Sequence, residues 1–296
     1  MKAWRQLLFA VLLILLGSTS ALASDIAVVL PAHTELTREF VQNLKQQRPA
    51  DRITTHLLDE QPAPESADFI ITLGQRALEW RLLQDLETPT LASYITLDGL
   101  TRLGRPVLPS SLQLLLASAK PDRQLHLAKL LIPRLSSSGL LYSETQQWQL
   151  FDWEQAARRH NLQINSALVE DSAHLPRRLI DLLADSDVLI GLDDPSIYNA
   201  DQVKTILLTS YARNKVLIGP SAPFIGAGSL STTYSTPTDM ARSLAQLMDM
   251  PWVAGRISYP SHFSVLSNPQ VARSLGLTLP EDKQLAQLIA AQEQQQ

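Results

Sequence analysis

Ser186-Asp-Val-Leu-Ile-Gly-Leu-Asp-Asp-Pro-Ser196 decides how this chain is read. Val188 to Leu192 is short, branched and apolar on both faces, which predicts a strand buried on both sides, as in a parallel sheet covered by helices. Asp193-Asp194-Pro195-Ser196 ends the strand and can cap the next helix. Ile197 to Arg213 reads as that helix, and Lys215-Val-Leu-Ile-Gly219 as a second buried strand. The polar loop therefore lies at the carboxyl end of a parallel strand, the edge at which open α/β sheets hold ligands. The same phrase occurs at Ala67-Asp-Phe-Ile-Ile-Thr-Leu-Gly-Gln-Arg76, followed by the strand Pro89 to Tyr94. The fold class is α/β, with two similar lobes, each a parallel sheet flanked by helices.

Outward from these units the alternation continues. Before them, Ser24 to Leu30 is a strand, Thr34 caps a helix to about Gln47, and Ile53 to Leu58 is a strand. Asp59 to Ser66 is too polar and proline-rich for a helix. Thr96 to Pro109 is a loop without periodicity, Leu112 to Ala119 crosses toward the second lobe, and Pro121 to Leu131 is a helix. The second lobe continues with the strand Ser138 to Tyr142, helices Trp148 to His160 and His174 to Ala184, and the strand Leu162 to Val169 between them. Gly226 to Tyr234 reads as a short strand with a flexible entry, Thr238 to Met248 as a helix, and Ile257 to Leu266 as a last strand. Asn268 to Leu275 is a short helix ending at Gly276, and the tail frays at its end. The expected division is 24–118 plus 226–258 for the N-terminal lobe, 119–225 plus 259–290 for the C-terminal lobe, and 291–296 as frayed tail.

With 45% hydrophobic and 18% charged residues, the composition is that of a globular chain with length for two domains. The net charge of −4 and the absence of a Lys/Arg cluster argue against nucleic-acid binding. Residues 1–23 read as an export leader: Lys2 and Arg5, the apolar core Leu7 to Leu16, then Ala21-Leu-Ala23 as a cleavage site. That core is nearer ten residues than the ~20 needed to span a bilayer, so no membrane insertion is expected after cleavage behind Ala23. With no cysteine there is no disulfide, thiol nucleophile or lipid-bearing N-terminal cysteine. A periplasmic location fits these features.

No catalytic pattern stands out, and no enzyme, cofactor or metal is expected. The six histidines are scattered without an i, i+4 pair, and neither a nucleophile elbow nor a phosphate-binding loop occurs. Asp193 and Asp194 could receive a ligand ammonium, or cap a helix; capping is the first reading for Asp193. Tyr142 could stack on a ligand or pack at the rim. Gln75 and Arg76 could bind a carboxylate, or Arg76 could face solvent. Trp80, Trp148, Trp153 and Trp252 read as structural.

Several stretches together carry a family resemblance: Asp68-Phe-Ile-Ile-Thr-Leu-Gly74, Thr88-Pro-Thr-Leu91, Asp122 to Pro133, Gly139-Leu-Leu-Tyr-Ser143, Asp187 to Asp194, Lys215 to Gly219, Gly228-Ser-Leu230 and, most specific, Asn268 to Pro280. The chain resembles the solute-binding proteins of ABC transporters with the type I periplasmic-binding fold, in the branch that includes bacterial aromatic-amino-acid-binding proteins. The resemblance implies two lobes joined by a three-strand hinge and closing on a small ligand at the strand-end loops. It implies ligand contacts from His33, Thr34, Gln75, Arg76, Tyr94 and Thr96 in the first lobe, from Tyr142, Ser143, Asp193, Asp194 and Ser221 in the second, and from Tyr234 at the hinge. It also implies a monomer, with ABC permease subunits and a cytosolic ATPase as partners. Three features depart from the pattern: Pro195 where a polar residue is usual, Thr236-Pro237 in place of an Asp-Tyr pair, and a first lobe trimmed between Leu58 and Asp68. The alternative is a periplasmic sensor or adaptor that signals to a membrane receptor or kinase; a periplasmic hydrolase is a third class.

Overall fold

The computed structural model describes residues 23–59 and 66–295. The export leader, apart from Ala23, and most of the proline-rich connector lie outside the described residues. The chain runs β1 (Asp25–Leu30), α1 (Glu35–Gln47), β2 (Arg52–Leu57), β3 (Phe69–Leu73), α2 (Gln75–Leu82), β4 (Thr90–Ile95), α3 (Leu97–Arg102) and β5 (Leu112–Leu116). The second half opens with α4 (Pro121–Leu131) and β6 (Ser137–Tyr142). A 3-10 turn (Glu144–Gln149), α5 (Leu150–Arg159), β7 (Gln163–Leu168), α6 (Leu175–Ala184), β8 (Val188–Ile190), α7 (Val203–Tyr211), β9 (Leu217–Ile218), α8 (Pro223–Ala227) and β10 (Ser231–Tyr234) follow. The chain then takes α9 (Pro237–Met248), β11 (Ile257–Ser258), β12 (Ser264–Ser267), α10 (Pro269–Ser274) and α11 (Asp282–Glu293).

Two six-stranded sheets result, ordered β11-β5-β4-β3-β1-β2 and β12-β10-β9-β8-β6-β7. Both carry the same plan: the first strand of each lobe lies between its second and third. Every pairing is parallel except β10 with β12. The central strands are buried on both faces, as the apolar runs Ile70–Ile71 and Val188–Ile190 require. In each sheet the order reverses around the first strand, which opens a crevice at the carboxyl ends there. Those crevices are bordered by Pro31 and Gly74 in one lobe, and by Ser143 and Gly191 in the other. Gly74 caps α2 at φ 79°, a conformation that favours glycine.

Several sequence expectations are corrected. Ser231–Tyr234 pairs with β9 and β12, so residues 226–235 belong with the second sheet, not the first lobe. Ile257 to Leu266 is not one strand: Ile257–Ser258 extends the first sheet and Ser264–Ser267 the second, with Pro260 between them. The expected helix from Ile197 starts only at Val203. Ile197 and Tyr198 are buried in a turn, and Asn199 Oδ1 accepts from the Asp201 and Gln202 amides, restarting the chain as a helix. Within the expected loop after Thr96, the Thr96 hydroxyl caps α3 by accepting from the Gly99 amide at 2.9 Å. The tail is helical through Glu293, as expected of a segment from Glu281 that frays over Gln294 to Gln296, so the bound at 291 moves to 294.

That helical end is held by charge. Arg123, 5% exposed, donates to both Glu293 carboxylate oxygens and to the Pro260 carbonyl, with its guanidinium 3.9 Å from the Phe263 ring centroid. Lys120 adds a bond to Glu293 at 2.7 Å. Next along α4, Asp122 is paired with Arg159, and His160 Nε2 lies 3.4 Å away.

These groups set a pH dependence. Burial opposes the Asp122 charge, but the nearby His160 ring and the hydrogen bonds and charge of Arg159 outweigh it and hold the carboxyl well below its ordinary range. Burial, with the His160 and Lys129 charges, pushes His126 down to about 4. In both cases the unfolded chain binds more protons, so stability falls as pH falls. The His126 contribution is lost between about pH 6.5 and its folded value, and the Asp122 contribution below about pH 4. His126→Gln is expected to flatten the urea midpoint between pH 6.5 and 4.5; a wild-type midpoint already flat there would contradict this.

Candidate functional site

Asp193 and Asp194 leave the end of β8 in opposite directions. Asp194, 2% exposed, turns into its own lobe. It accepts from the Ser143 amide at 2.7 Å and from the Ser196 amide and hydroxyl at 3.2 and 2.5 Å. It thereby ties the two loops that border the second-lobe crevice, a structural task. Asp193 crosses to the first lobe. Its Oδ2 accepts from the Ser118 hydroxyl at 2.6 Å and from the Asp98 amide at 3.1 Å. Ser118 Oγ in turn accepts from the Leu97 amide at 2.8 Å. Neither aspartate caps the next helix, which starts only at Val203; Asp194 closes a turn onto Ser196 instead.

The contact extends along α3. Gln146 Nε2 donates to Asp98 Oδ1 at 3.1 Å, and Thr101 Oγ1 donates to Gln146 Oε1 at 3.0 Å. Trp148 Nε1 donates to Thr101 Oγ1 at 3.0 Å, and its ring packs on the first-lobe core with Arg105 above it. Gln149 Nε2 donates to Gln146 Oε1 and to the Asp193 carbonyl. Burial raises the Asp98 pKa, as do the Asp193 and Asp194 charges, partly offset by Arg102. Two carboxylates, Asp98 and Asp193, thus meet at the lobe junction, with amide and hydroxyl donors around them. This arrangement can accept hydrogen bonds from an ammonium or hydroxyl group.

The remaining predicted residues are dispersed. Thr34 forms a capping box with Thr37, while exposed His33 lines a groove beside α1 and β2. Gln75 Nε2 bonds Glu79, and Arg76 is exposed 3.7 Å from Asp59. Tyr94 has φ 59° at the irregularity in β4, uncommon for a bulky residue. Its ring meets Phe40 edge-on, and its buried hydroxyl has no hydrogen-bond partner among the described residues. Burial and the Glu39 and Asp239 charges raise its pKa. Tyr142 packs on the second-lobe core, and Ser221 accepts from the Phe224 amide. Tyr234 lines a separate groove at the hinge. Thr96 and Asp193 are linked across the junction through α3: Thr96 caps it, and Asp193 accepts from its Asp98 amide.

Ser118, Asp98, Gln146, Gln149 and Thr101 lie outside the predicted set. Only the Thr96-to-Gly99 capping spacing hinted at a helix there. Among the described residues no group of three His, Cys, Asp or Glu is placed to hold a metal, and no helix is long and apolar enough to cross a membrane.

Gly191 fixes the strand end that presents Asp193. A Cβ there would lie 2.5 Å from Pro220 Cδ and 2.8 Å from its nitrogen. Gly191→Ala is expected to cost about 1–3 kcal/mol by overpacking and to move the Asp193 loop. A urea titration checks it; an unchanged midpoint would contradict the close approach.

No family model matches the sequence, and no curated protein matches it. Solved structures do. An ABC domain in complex with L-Trp from Streptococcus pneumoniae is 14% identical, with a TM-score of 0.54 over 89% of this chain and 98% of that one. A ligand-free, open substrate-binding protein with adhesive properties from Clostridium difficile is 12% identical, with a TM-score of 0.65 over 88% and 97%. A conserved domain protein from Vibrio cholerae is 14% identical, with a TM-score of 0.52 over 89% and 98%. At these identities the likeness speaks to architecture, and the chain has the two-lobe α/β fold of the type I periplasmic-binding proteins.

Proposed function

We propose that this chain is a periplasmic solute-binding protein that takes a small polar or amphipathic molecule between its lobes for an ABC importer. The observation that carries the reading is Asp193, an acceptor from one lobe already bonded to donors of the other. A ligand ammonium or hydroxyl would take over that carboxylate, beside Thr96 at the start of α3. Contacts to both lobes shift the population toward the closed form, which permease subunits would recognise. The chain performs no chemistry in this reading and acts as a monomer. Solved proteins of this fold include one holding L-Trp, which is consistent with a binding role.

A melting screen across amino acids, nucleosides, sugars and polyamines tests the proposal. The cognate ligand at about a hundred times its Kd should add about 2.7 kcal/mol, raising Tm by about 5–10 °C. A screen in which nothing raises Tm would count against it.

A sensor or adaptor role is the second reading. It is favoured by the Asp98–Gln146–Thr101–Trp148 network, which joins the lobes with protein groups alone. In that case small-angle scattering should give the same radius of gyration with and without every compound screened.

A further inference from the structure

Tyr94 carries two unfavourable features at once. Its φ is 59°, where β4 has one residue more than β5 opposite: Ser93 pairs with Leu115 and Ile95 with Leu116. Left-handed backbone is costly for a bulky side chain and gathers at switch regions and ligand clamps. Its ring packs on the first-lobe core beside Phe40 of α1, and its buried hydroxyl meets no partner among the described residues. Burial, then the Glu39 and Asp239 charges, raises the pKa of that hydroxyl, so it keeps a proton that nothing there accepts. Such a group has lost its hydration with no bond to replace it. The adjacent Ser93 is fully buried, and its Oγ is unpartnered among the described residues as well.

The chain on both sides of Tyr94 is fastened. Before it, the Ser93 carbonyl accepts from the Gly74 amide at 2.8 Å; after it, the Ile95 carbonyl accepts from the Ala117 amide at 2.7 Å. The Leu97 amide then donates to Ser118 Oγ, and the Asp98 amide to Asp193 Oδ2. Ser118 Oγ is itself bonded to Asp193. The segment leaving Tyr94 is thus tied to the second lobe through one carboxylate. A strained residue persists where its surroundings over-determine it. Asp193 is the part of those surroundings that departs when the lobes separate.

We propose that Tyr94 is a spring against closure. With the junction bonded, as here, it is held left-handed with its hydroxyl unpaired. When the lobes part, it turns to an ordinary φ and carries its hydroxyl to water in the cleft. A solute that closes the lobes must offset this strain, so Tyr94 holds down closure without solute. The spring regulates the junction of the solute-binding reading and rests on that reading.

Amide hydrogen exchange at Leu97 and Asp98 reads the parting of the lobes even where the open form is rare. Tyr94→Gly and Tyr94→Ala both remove the ring and the hydroxyl, but only glycine takes a positive φ freely. Both amides are expected to exchange about tenfold faster in Tyr94→Ala than in Tyr94→Gly. Tyr94→Phe keeps the ring and removes the unpaired hydroxyl, so the same amides should exchange at least about fivefold more slowly than in wild type. The fully buried Ile71 serves as the reference for global unfolding. Equal rates at Leu97 and Asp98 in the glycine and alanine variants would overturn the proposal, as would an unslowed rate in Tyr94→Phe. Wild-type exchange there no faster than at Ile71 would also overturn it, since the lobes would then part only on unfolding. No solute enters these measurements, so a failed spring and a failed binding screen are separate results.

Discussion

Arg123→Ala is expected to lower the unfolding free energy by about 3–5 kcal/mol and to loosen the C-terminal helix, because it leaves a half-buried carboxylate without its main partner. The guanidinium is buried, grips both Glu293 oxygens, bonds the Pro260 carbonyl and stacks on Phe263. It therefore joins the start of the second lobe, the passage between the two sheets at Pro260 and the C-terminal helix. Lys120 keeps one bond to Glu293, but it is a flexible point charge and cannot reproduce the bidentate fork. Glu293→Ala strips the same pair from the other side, so a double-mutant cycle should give a coupling of at least about 1 kcal/mol. Hydrogen exchange should accelerate over residues 282–293 in either variant. A loss below about 1 kcal/mol with unchanged exchange would show that the pair does not hold the helix.

Asp193→Ala is expected to open the lobes. It removes the acceptor for Ser118 Oγ and for the Asp98 amide, both of which lie on the far side of the junction. Hydrogen bonds to a charged group contribute about 1.5–3 kcal/mol each, and water regained on opening offsets part of this. A net bias of about 1.4 kcal/mol would already raise the open-to-closed ratio tenfold. Because Asp193 lies on a loop at the junction and not in either core, overall stability should change by less than about 1 kcal/mol. Scattering should report a larger radius of gyration, with an almost unchanged urea midpoint. Asp194→Ala should do the reverse: it costs stability by leaving the Ser143 amide unpaired, without a direct effect on the junction.

The fold was legible because a doubly buried parallel strand cannot hide its pattern. Val188–Ile190 and Ile70–Thr72 have no polar face to show, and each is followed by a polar break and a helix. The lobe order followed from repetition of that unit. The hidden features depended on partners remote in sequence. Nothing local distinguishes Ser231–Tyr234 as a strand of the second sheet rather than the first; its neighbours β9 and β12 decide it. Likewise, Ile257 to Leu266 looks continuous, but Pro260 has no amide to give a ladder and the chain changes sheets there.

The site was legible only as a region. Strand ends pointed to the right edge of each sheet, and Asp193 was marked by its place after β8. Which aspartate faces its own lobe and which crosses is settled by Ser143 and Ser118, 51 and 75 residues away in the chain. Asp98 and Gln146 carried no motif at all, since a single amide or carboxylate becomes informative only when its counterpart is known. Thr34 shows the opposite case: its role as the cap of α1 follows from the local sequence pattern alone, and the structure has it.

The central claim is that a small molecule sits between the lobes against Asp193. Native mass spectrometry tests it most directly, on wild-type protein and Asp193→Ala, each purified gently from cells and again after unfolding and refolding. The expected result is a small bound mass on native wild-type protein, lost on refolding and absent from Asp193→Ala. A wild-type protein that is bare before and after refolding, with no melting response across the screen, would contradict it.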